Sequence, residues 1–457
     1  MLTFQDYLSR TDDLPSFIRR AINEHMSSEL YKTAKSADAY DRQKNETIYN
    51  YVRTIFTATG SEVIDFTAAN NRLACNTFHR LNTQRCVYSL GNGVSFSDES
   101  TKDKLGIDFD TKLKSIGYKG LIHGVCFGFW NVNELHMFPV TEFVPLWDEY
   151  DGKLKAGIRF WQLAENKPFV AVLYEEDGYT RFRTRDGSKG LDLVVEEDKR
   201  AYKQRYSISM ADGAELVGEE NYGVLPIVPL WGNELHQSTL VGMQKNIDSY
   251  DLIQSGFAND LTDCAQIYWI VENCMGMTDE ELSRFRDRMK VQHIAVADTE
   301  NSKVTPYTQE IPYQARQTYL EAIKTQIYHD FGAFDPETVA AGNITATQIN
   351  AAYQPMDEEA DDYEYQIIKF VQQILRLIGI EDTPIFKRNK VSNMTEQVQM
   401  VMMEAEYLDD ETLLSKLPNI TVDEIPVIME RKAADSMDRF DDESSEAVDA
   451  ENTAENE

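Results

Sequence analysis

Apolar residues recur every three or four positions through LPSFIRRAINEHM and ETIYNYVRTIF, and this spacing predicts a mostly helical segment over residues 1 to about 112. A further helix is expected from Asn71 to Leu90, ended by Gly91, because glycine most easily takes the left-handed conformation that follows a helix. From Gly117 to Pro229 the rhythm changes. The runs GVCFGFW, FVAVLYEE, YTRFRTR and LDLVVEE are strand-like, and DG, NK and GSKG between them are turn signals, so an antiparallel β-rich unit is expected.

Helical spacing returns between Asn233 and Ile380. Leu240, Met243, Ile247, Tyr250, Ile253, Phe257 and Leu261 predict one apolar stripe on a helix from Asn233 to about Cys264, about 48 Å long at 1.5 Å per residue. A second long helix is expected from near Pro312 to Gly332, with Tyr319, Leu320, Ile323, Ile327 and Phe331 on its apolar face. Between the two, about 265–309 reads as a compact α/β module: strand IYWIV, a short helix opened by the Thr278/Glu281 capping box, and strands HIAVA and KVTPYT. A loop of small residues, FDPETVAAGNITATQ, leads into another helical pattern to Ile378, where Pro355 removes a backbone donor and predicts a kink. Short helices are expected around Thr395 to Tyr407 and Asp409 to Arg431. From Asp435 onward ten acids stand against Arg439 alone, too charged and too poor in apolar residues for a fold to be expected.

Charge narrows the function. The 457 residues hold 45 Lys plus Arg against 77 Asp plus Glu, a net charge of −32, which argues against tight phosphate binding over a large area but not against a protein that DNA passes. With 42% hydrophobic and 11% aromatic residues the chain can bury substantial cores, so several folded units are expected. No apolar run approaches the roughly 18 residues of a membrane helix, and MLTFQDYLSRTDD lacks the regions of a signal peptide, so a soluble protein made inside the cell is expected, without a membrane partner. Cys75, Cys86, Cys126, Cys264 and Cys274 are an odd, sparse set that reads as reduced thiols.

The common chemical signatures are absent: no GxxxxGK[ST] loop, no GxGxxG after a strand, no HExxH and no GxSxG. No cofactor is therefore expected. Cys75, His79, Cys86, His123 and Cys126 allow a metal site, but without paired CxxC spacing they read better as packed residues, and no metal is expected. The acids Asp357, Glu358, Glu359, Asp361, Asp362 and Glu364 suggest either a solvated face or a hydrolase or nuclease holding two metal ions on Asp357, Glu358, Asp361 and Asp362. Neither Lys, Arg nor His occurs between Ala333 and Ile368. Such a surface repels phosphate over the roughly 8 to 10 Å that salt allows, the sign suited to DNA that slides rather than binds.

The order of these parts resembles the SPP1-type portal proteins of tailed double-stranded DNA bacteriophages, over roughly residues 40–430. Tyr88-Ser89-Leu90-Gly91-Asn92 followed by Val94-Ser95-Phe96 is similar to a helix end of that family, with Gly93 where proline is usual. Asp248-Ser249-Tyr250-Asp251, then Ser255, Ala258-Asn259-Asp260 and Asp263, resembles its first stem helix. Gly342-Asn343, and the helix through Tyr353 and Pro355, resemble its tunnel loop and tunnel helix, with Thr345-Ala346 replacing the usual Ser-Gly.

The resemblance implies an α+β portal architecture: a β-rich wing (1–232), stem helices (233–264 and 310–331) bracketing a small clip (265–309), a tunnel loop (332–346), a kinked tunnel helix (347–380), a helical crown (381–434) and an acidic tail (435–457). It implies a non-enzymatic homo-oligomeric ring, a dodecamer, at one capsid vertex of the virion, assembled from chains made in the host cytoplasm. DNA would pass through on packaging by a separate terminase, whose large subunit carries the ATPase, and again on ejection. The expected channel lining is Val339, Ala340, Ala341, Gly342, Asn343, Ile344, Thr345, Ala346 and Thr347 with Asp357, Glu358 and Asp361. Arg284, Arg286 and Arg288 are expected to present the clip docking surface for terminase and then a head-tail adaptor, and major capsid or scaffold protein would meet the wing. A scaffold or minor head component is the other morphogenesis reading, but it leaves the bracketed module unexplained.

Overall fold

The computed structural model describes residues 2–56, 60–65, 69–185, 192–209, 213–264, 268–272, 278, 280–281, 283–284, 303–307, 313–339, 346–390, 401–403, 405, 407–417 and 427–431. They form an α+β protein of two units, Met1–Ala333 with Glu358–Arg388, and Phe334–Asp357 with Asn389–Glu457.

In the first unit, Ser28 joins two helices, Leu14–Ser27 and Glu29–Asp41: its N–H bonds His25 O at 2.9 Å, and its Oγ accepts from Tyr31 N. Phe17, Ile18, Ala21 and Ile22 fall on one helical face and are buried against Val144, Leu146, Ile158, Leu173 and Phe182 of a five-stranded antiparallel sheet. Its order, edge to edge, is Leu193–Arg200, Gly178–Thr184, Phe169–Glu175, Leu154–Gln162 and Phe143–Trp147. A second sheet orders Ile227–Trp231, Val125–Asn131 and Glu134–Pro139. Each of the four strand runs expected from the sequence contains one of these strands, whereas the GSKG turn lies outside the described residues.

Several boundaries differ from the sequence expectation. The β-rich unit does not begin at Gly117, which lies inside a helix, Phe109–His123; Leu113, Ile116, Leu121 and Ile122 bury at helical spacing there, and Gly124 ends it at φ 86°. ETIYNYVRTIF is not one helix. Asn45 caps the short helix Glu46–Tyr49, its Oδ1 accepting from Thr47 N and Ile48 N, and the β-branched residues after it lie in a strand, Thr54–Phe56, paired with Glu62–Ile64. The helix expected from Asn71 starts at Thr77, and Gly91 after it stays right-handed at φ −64°; the left-handed residue is Gly93, at φ 72°.

The first long helix is Gln244–Cys264, 21 residues and about 32 Å, because residues 233–243 form turns. The second, Tyr313–Phe331, ends before Gly332 at φ 63°, as its spacing predicts. In the segment between them, Tyr268–Glu272 pairs antiparallel with Lys303–Tyr307, and the Glu281 carboxylate accepts from Thr278 N and Oγ1 at 2.9 and 3.1 Å. The HIAVA strand lies outside the described residues.

One helix, Ala346–Leu377, continues through Pro355. Its later part belongs to the first unit, where Tyr363, Ile367, Phe370, Val371 and Ile374 are buried with Leu90, Phe109, Leu113 and Leu230. Two glycines make room for it. A Cβ on Gly117 would stand 2.3 Å from the Tyr363 hydroxyl, and one on Gly128 would stand 2.4 Å from Phe370 Cζ. In the second unit Phe334 stacks on Tyr353, with ring centroids 4.2 Å apart. There Asp409 caps the helix Asp410–Lys416 by accepting from Thr412 N, and residues 401–403 and 427–431 are helical. The acidic segment 435–457 lies outside the described residues. No helix among the described residues is long and apolar enough to cross a membrane.

Candidate functional site

Of the residues expected to line a channel, Val339 closes the short helix Pro336–Val339, and Ala346 and Thr347 open the long helix. Ala340, Ala341, Gly342, Asn343, Ile344 and Thr345 lie outside the described residues. Arg284 is exposed on the segment between the two long helices, and Arg286 and Arg288 lie outside the described residues.

The acids 357–364 are better neutralised than their neighbourhood in sequence suggests, because the cations come from elsewhere. In the first unit Arg388 grips Glu364 with Nε at 3.0 Å and Nη2 at 2.9 Å and also contacts Asp361. Glu359 pairs with Arg85 at 3.0 Å. Asp362 accepts from Glu234 N at 2.9 Å and from the Gln366 amide. In the second unit Lys390 reaches Asp357 at 2.6 Å. Asp361 and Glu364 share Arg388 while Asp357, Glu359 and Asp362 have other partners, and among the described residues no group of acids, His and Cys is placed to hold a metal ion. A two-metal hydrolase needs convergence on ions about 4 Å apart, so the geometry gives that reading no support.

Arg85 is the most buried of these cations. Besides Glu359 it donates to Phe331 O and lies over the Phe331 ring, 4.1 Å from its centroid, so it ties three helices together. Burial lowers its proton affinity, and the Glu359 carboxylate opposes that. Nothing in the local sequence of Arg85, Arg388 or Lys390 marks them; only their distant partners do.

The cysteines and histidines considered as ligands are each engaged separately. His79 Nδ1 is 2.9 Å from Asp41 and His123 Nε2 is 2.9 Å from Asp38. Cys86 and Cys126 point their thiols at the carbonyls of Lys114 and Phe138, and burial pushes the Cys75 and Cys86 thiols up to about 11.

The helix Gln244–Cys264 buries a polar stripe below its apolar end. Leu240, Met243 and Ile247 enter a core with Phe78, Leu81, Ile327 and Phe331, but further along the buried residues are Asp251, Ser255 and Asn259. Asp251 accepts from Asn45 Nδ2 at 2.8 Å and from Cys75 N at 2.9 Å, Ser255 Oγ from Leu73 N at 2.9 Å, and Asn259 Oδ1 from Asn71 N. Alternate backbone N–H groups of an extended segment, residues 71, 73 and 75, are thus satisfied by side chains one helical turn apart, in place of a partner strand. Acceptors at steps of four from Asp251 to Asn259 are the sequence signal for this, hidden by the apolar stripe that accompanies them. Asp248 adds contacts from Tyr40 and Thr47.

The two long helices run antiparallel, joined by Asn246 to Asp330, Ser249 to Tyr319, and Asp260 to Arg316. Only Ile327 and Phe331 of the second are buried; Leu252, Leu261, Tyr313 and Tyr319 are 42 to 60% exposed.

Residues 28–450 match the family described as phage portal protein, SPP1 Gp6-like. The portal protein of Bacillus phage SPP1 is 26% identical over 429 residues, 85% of this chain and 79% of that one. The portal protein of Clostridium phage phiCD119 is 24% identical over 383 residues, 77% of this chain and 82% of that one. A chain from the neck of a native gene transfer agent particle, computed with C12 symmetry, aligns with a TM-score of 0.44 and 10% identity, over 75% of this chain and 89% of that one. A chain of the native gene transfer agent virion aligns with a TM-score of 0.45 and 9% identity, over 82% and 98%.

Proposed function

The chain belongs to the SPP1 Gp6-like family of phage portal proteins, and from that premise we propose that its copies close into a ring, a dodecamer, through which double-stranded DNA is packaged and later ejected. One observation carries the ring: two antiparallel helices whose polar stripe is satisfied within the chain still present Leu252, Leu261, Tyr313 and Tyr319 to solvent. Neighbouring copies in a closed head-to-tail ring supply the surface that covers them.

In this reading residues 1–232 are the wing, the two long helices are the stem, 265–309 the clip, 332–346 the tunnel loop, 347–380 the tunnel helix and 381–434 the crown. The role is geometric rather than catalytic: a separate terminase hydrolyses ATP, and the ring, at the portal vertex of the virion, guides the duplex. Val339 to Thr347 surround the DNA with small side chains. Of the acids, Glu358 is exposed and keeps its surface negative, while the pairing of Asp357 with Lys390 and of Asp361 and Glu364 with Arg388 reduces the charge these acids present. Arg284, with Arg286 and Arg288, presents the clip to terminase and then to a head-tail adaptor, and capsid or scaffold protein meets the wing.

Electron microscopy of the purified protein tests this. Rings of twelve copies are expected, and particles that stay single at every concentration and salt tried overturn the proposal.

A further inference from the structure

Gly117 and Gly128 leave room for Tyr363 and Phe370, but Gly256, in the interior of the helix Gln244–Cys264, leaves room for nothing in its own chain: among the described residues a Cβ there meets no atom within 4 Å. Its φ is not positive, so no left-handed backbone calls for glycine. Alanine suits a helix interior better, and the absent side chain weakens the helix without improving any packing inside the chain. The space beside Gly256 is a niche in the first unit, about 270 Å³, walled by buried Ile48 and the half-exposed Tyr51 and Leu252. Bonds already described hold its walls in place: Asn45 to Asp251, Leu73 N to Ser255 and Asn71 N to Asn259. A niche of this size takes a side chain but neither a helix nor a strand.

We propose that the niche is a joint between copies, filled by Leu261 of a second copy of this chain. This rests on the ring proposed above and names one contact that closes it. A head-to-tail contact joins two different patches of the same chain, so every copy must carry both the hole and the side chain that fills it, on different sides. The helix satisfies this. Leu252 and Gly256 are one turn apart on one side, and Leu261, five residues beyond Gly256, stands about 140° round the axis. It is 55% exposed, and its aliphatic side chain suits an apolar wall. Tyr319 is a poorer occupant, because its hydroxyl lies 3.2 Å from Ser249 Oγ, and Ser249 is only about 20° from Gly256 round the helix, on the hole's own side.

The test uses full chains in an assembly assay, with ring fraction read by mass photometry. Gly256→Leu, which fills the hole from within, should raise the concentration needed for half-assembly at least about tenfold, and Leu261→Asp should do the same. Both variants should keep the melting temperature of the dilute, unassembled chain. Contact is read by mixing a Leu252→Cys chain with a Leu261→Cys chain and oxidising the rings: a disulfide-linked dimer is expected that neither chain gives alone. Gly256→Leu rings that form at the native concentration overturn the proposal, and so do rings of the mixed chains that give no such dimer. A dimer from Leu252→Cys with Tyr313→Cys in place of Leu261→Cys overturns the choice of occupant. Native chains that never form rings in the same assay fail the ring itself, a result separate from rings that form without this joint.

Discussion

Arg388 holds Glu364 through two parallel hydrogen bonds, Nε at 3.0 Å and Nη2 at 2.9 Å, although the two residues lie 24 positions apart. The Glu364 side chain is 12% exposed, so its charge has little water to fall back on. Arg388→Ala is expected to cost about 2–4 kcal/mol, because removing one partner leaves the other charge unpaired. Arg388→Lys should recover less than half, since an ammonium cannot match the two-pronged geometry. Urea denaturation midpoints of the three proteins check this.

The polar stripe makes a second prediction. Asp251→Ala strands the Asn45 amide and the Cys75 N–H together and should cost about 2–3 kcal/mol, whereas Ser255→Ala, which strands Leu73 N alone, should cost about 1 kcal/mol. Thermal denaturation gives both values, and equal losses would contradict the arrangement described.

Acid should expose the pair around Asp38. Burial alone would raise this carboxyl from 3.8, but His123 and Lys119 outweigh burial and hold it at about 2. A depressed folded value stabilises the protein above the unfolded value, near pH 4, and the contribution disappears as pH falls toward 2. After allowance for solvent screening it amounts to about 1–2 kcal/mol. The native protein should therefore exceed Asp38→Asn in stability at pH 5, and the gap should narrow at pH 3; a gap independent of pH would show that the charge is not what matters.

Gly128→Ala should destabilise by about 1–3 kcal/mol, since the added carbon meets the fully buried ring of Phe370. Phe370→Leu in the same chain should offset part of that loss, giving a coupling energy measurable by a double-mutant cycle.

For DNA movement, Glu358→Lys with Asp361→Lys is expected to slow packaging in a reconstituted terminase reaction while rings still form, because cations on the wall create binding wells for phosphate. Packaging at the native rate would place these two acids away from the duplex.

What the sequence disclosed depended on whether the signal was local. The strand runs around the Asp177-Gly178 turn, and the helix Tyr313–Phe331 closed by Gly332, were readable because period and punctuation agree. ETIYNYVRTIF misled because its aromatic spacing is helical while Thr54 and Ile55 favour extended backbone, and pairing with Glu62–Ile64 decided between them. The start at Gln244 was masked by Leu240 and Met243, which reach the core from turns and share the helix's apolar period. At the candidate site, Asp357 to Glu364 suggested unrelieved negative charge, and only folding shows that Arg85, Arg388 and Lys390 meet them.

In the proposed channel, ionic strength has two opposed effects on these acids. Added electrolyte shortens the reach of the repulsion between carboxylates and a passing duplex. It also loosens solvent-facing pairs such as Asp361 with Arg388, which unmasks negative charge that folding had cancelled. In that proposed channel the friction on a passing duplex should then vary less with salt than a count of acids along the chain implies.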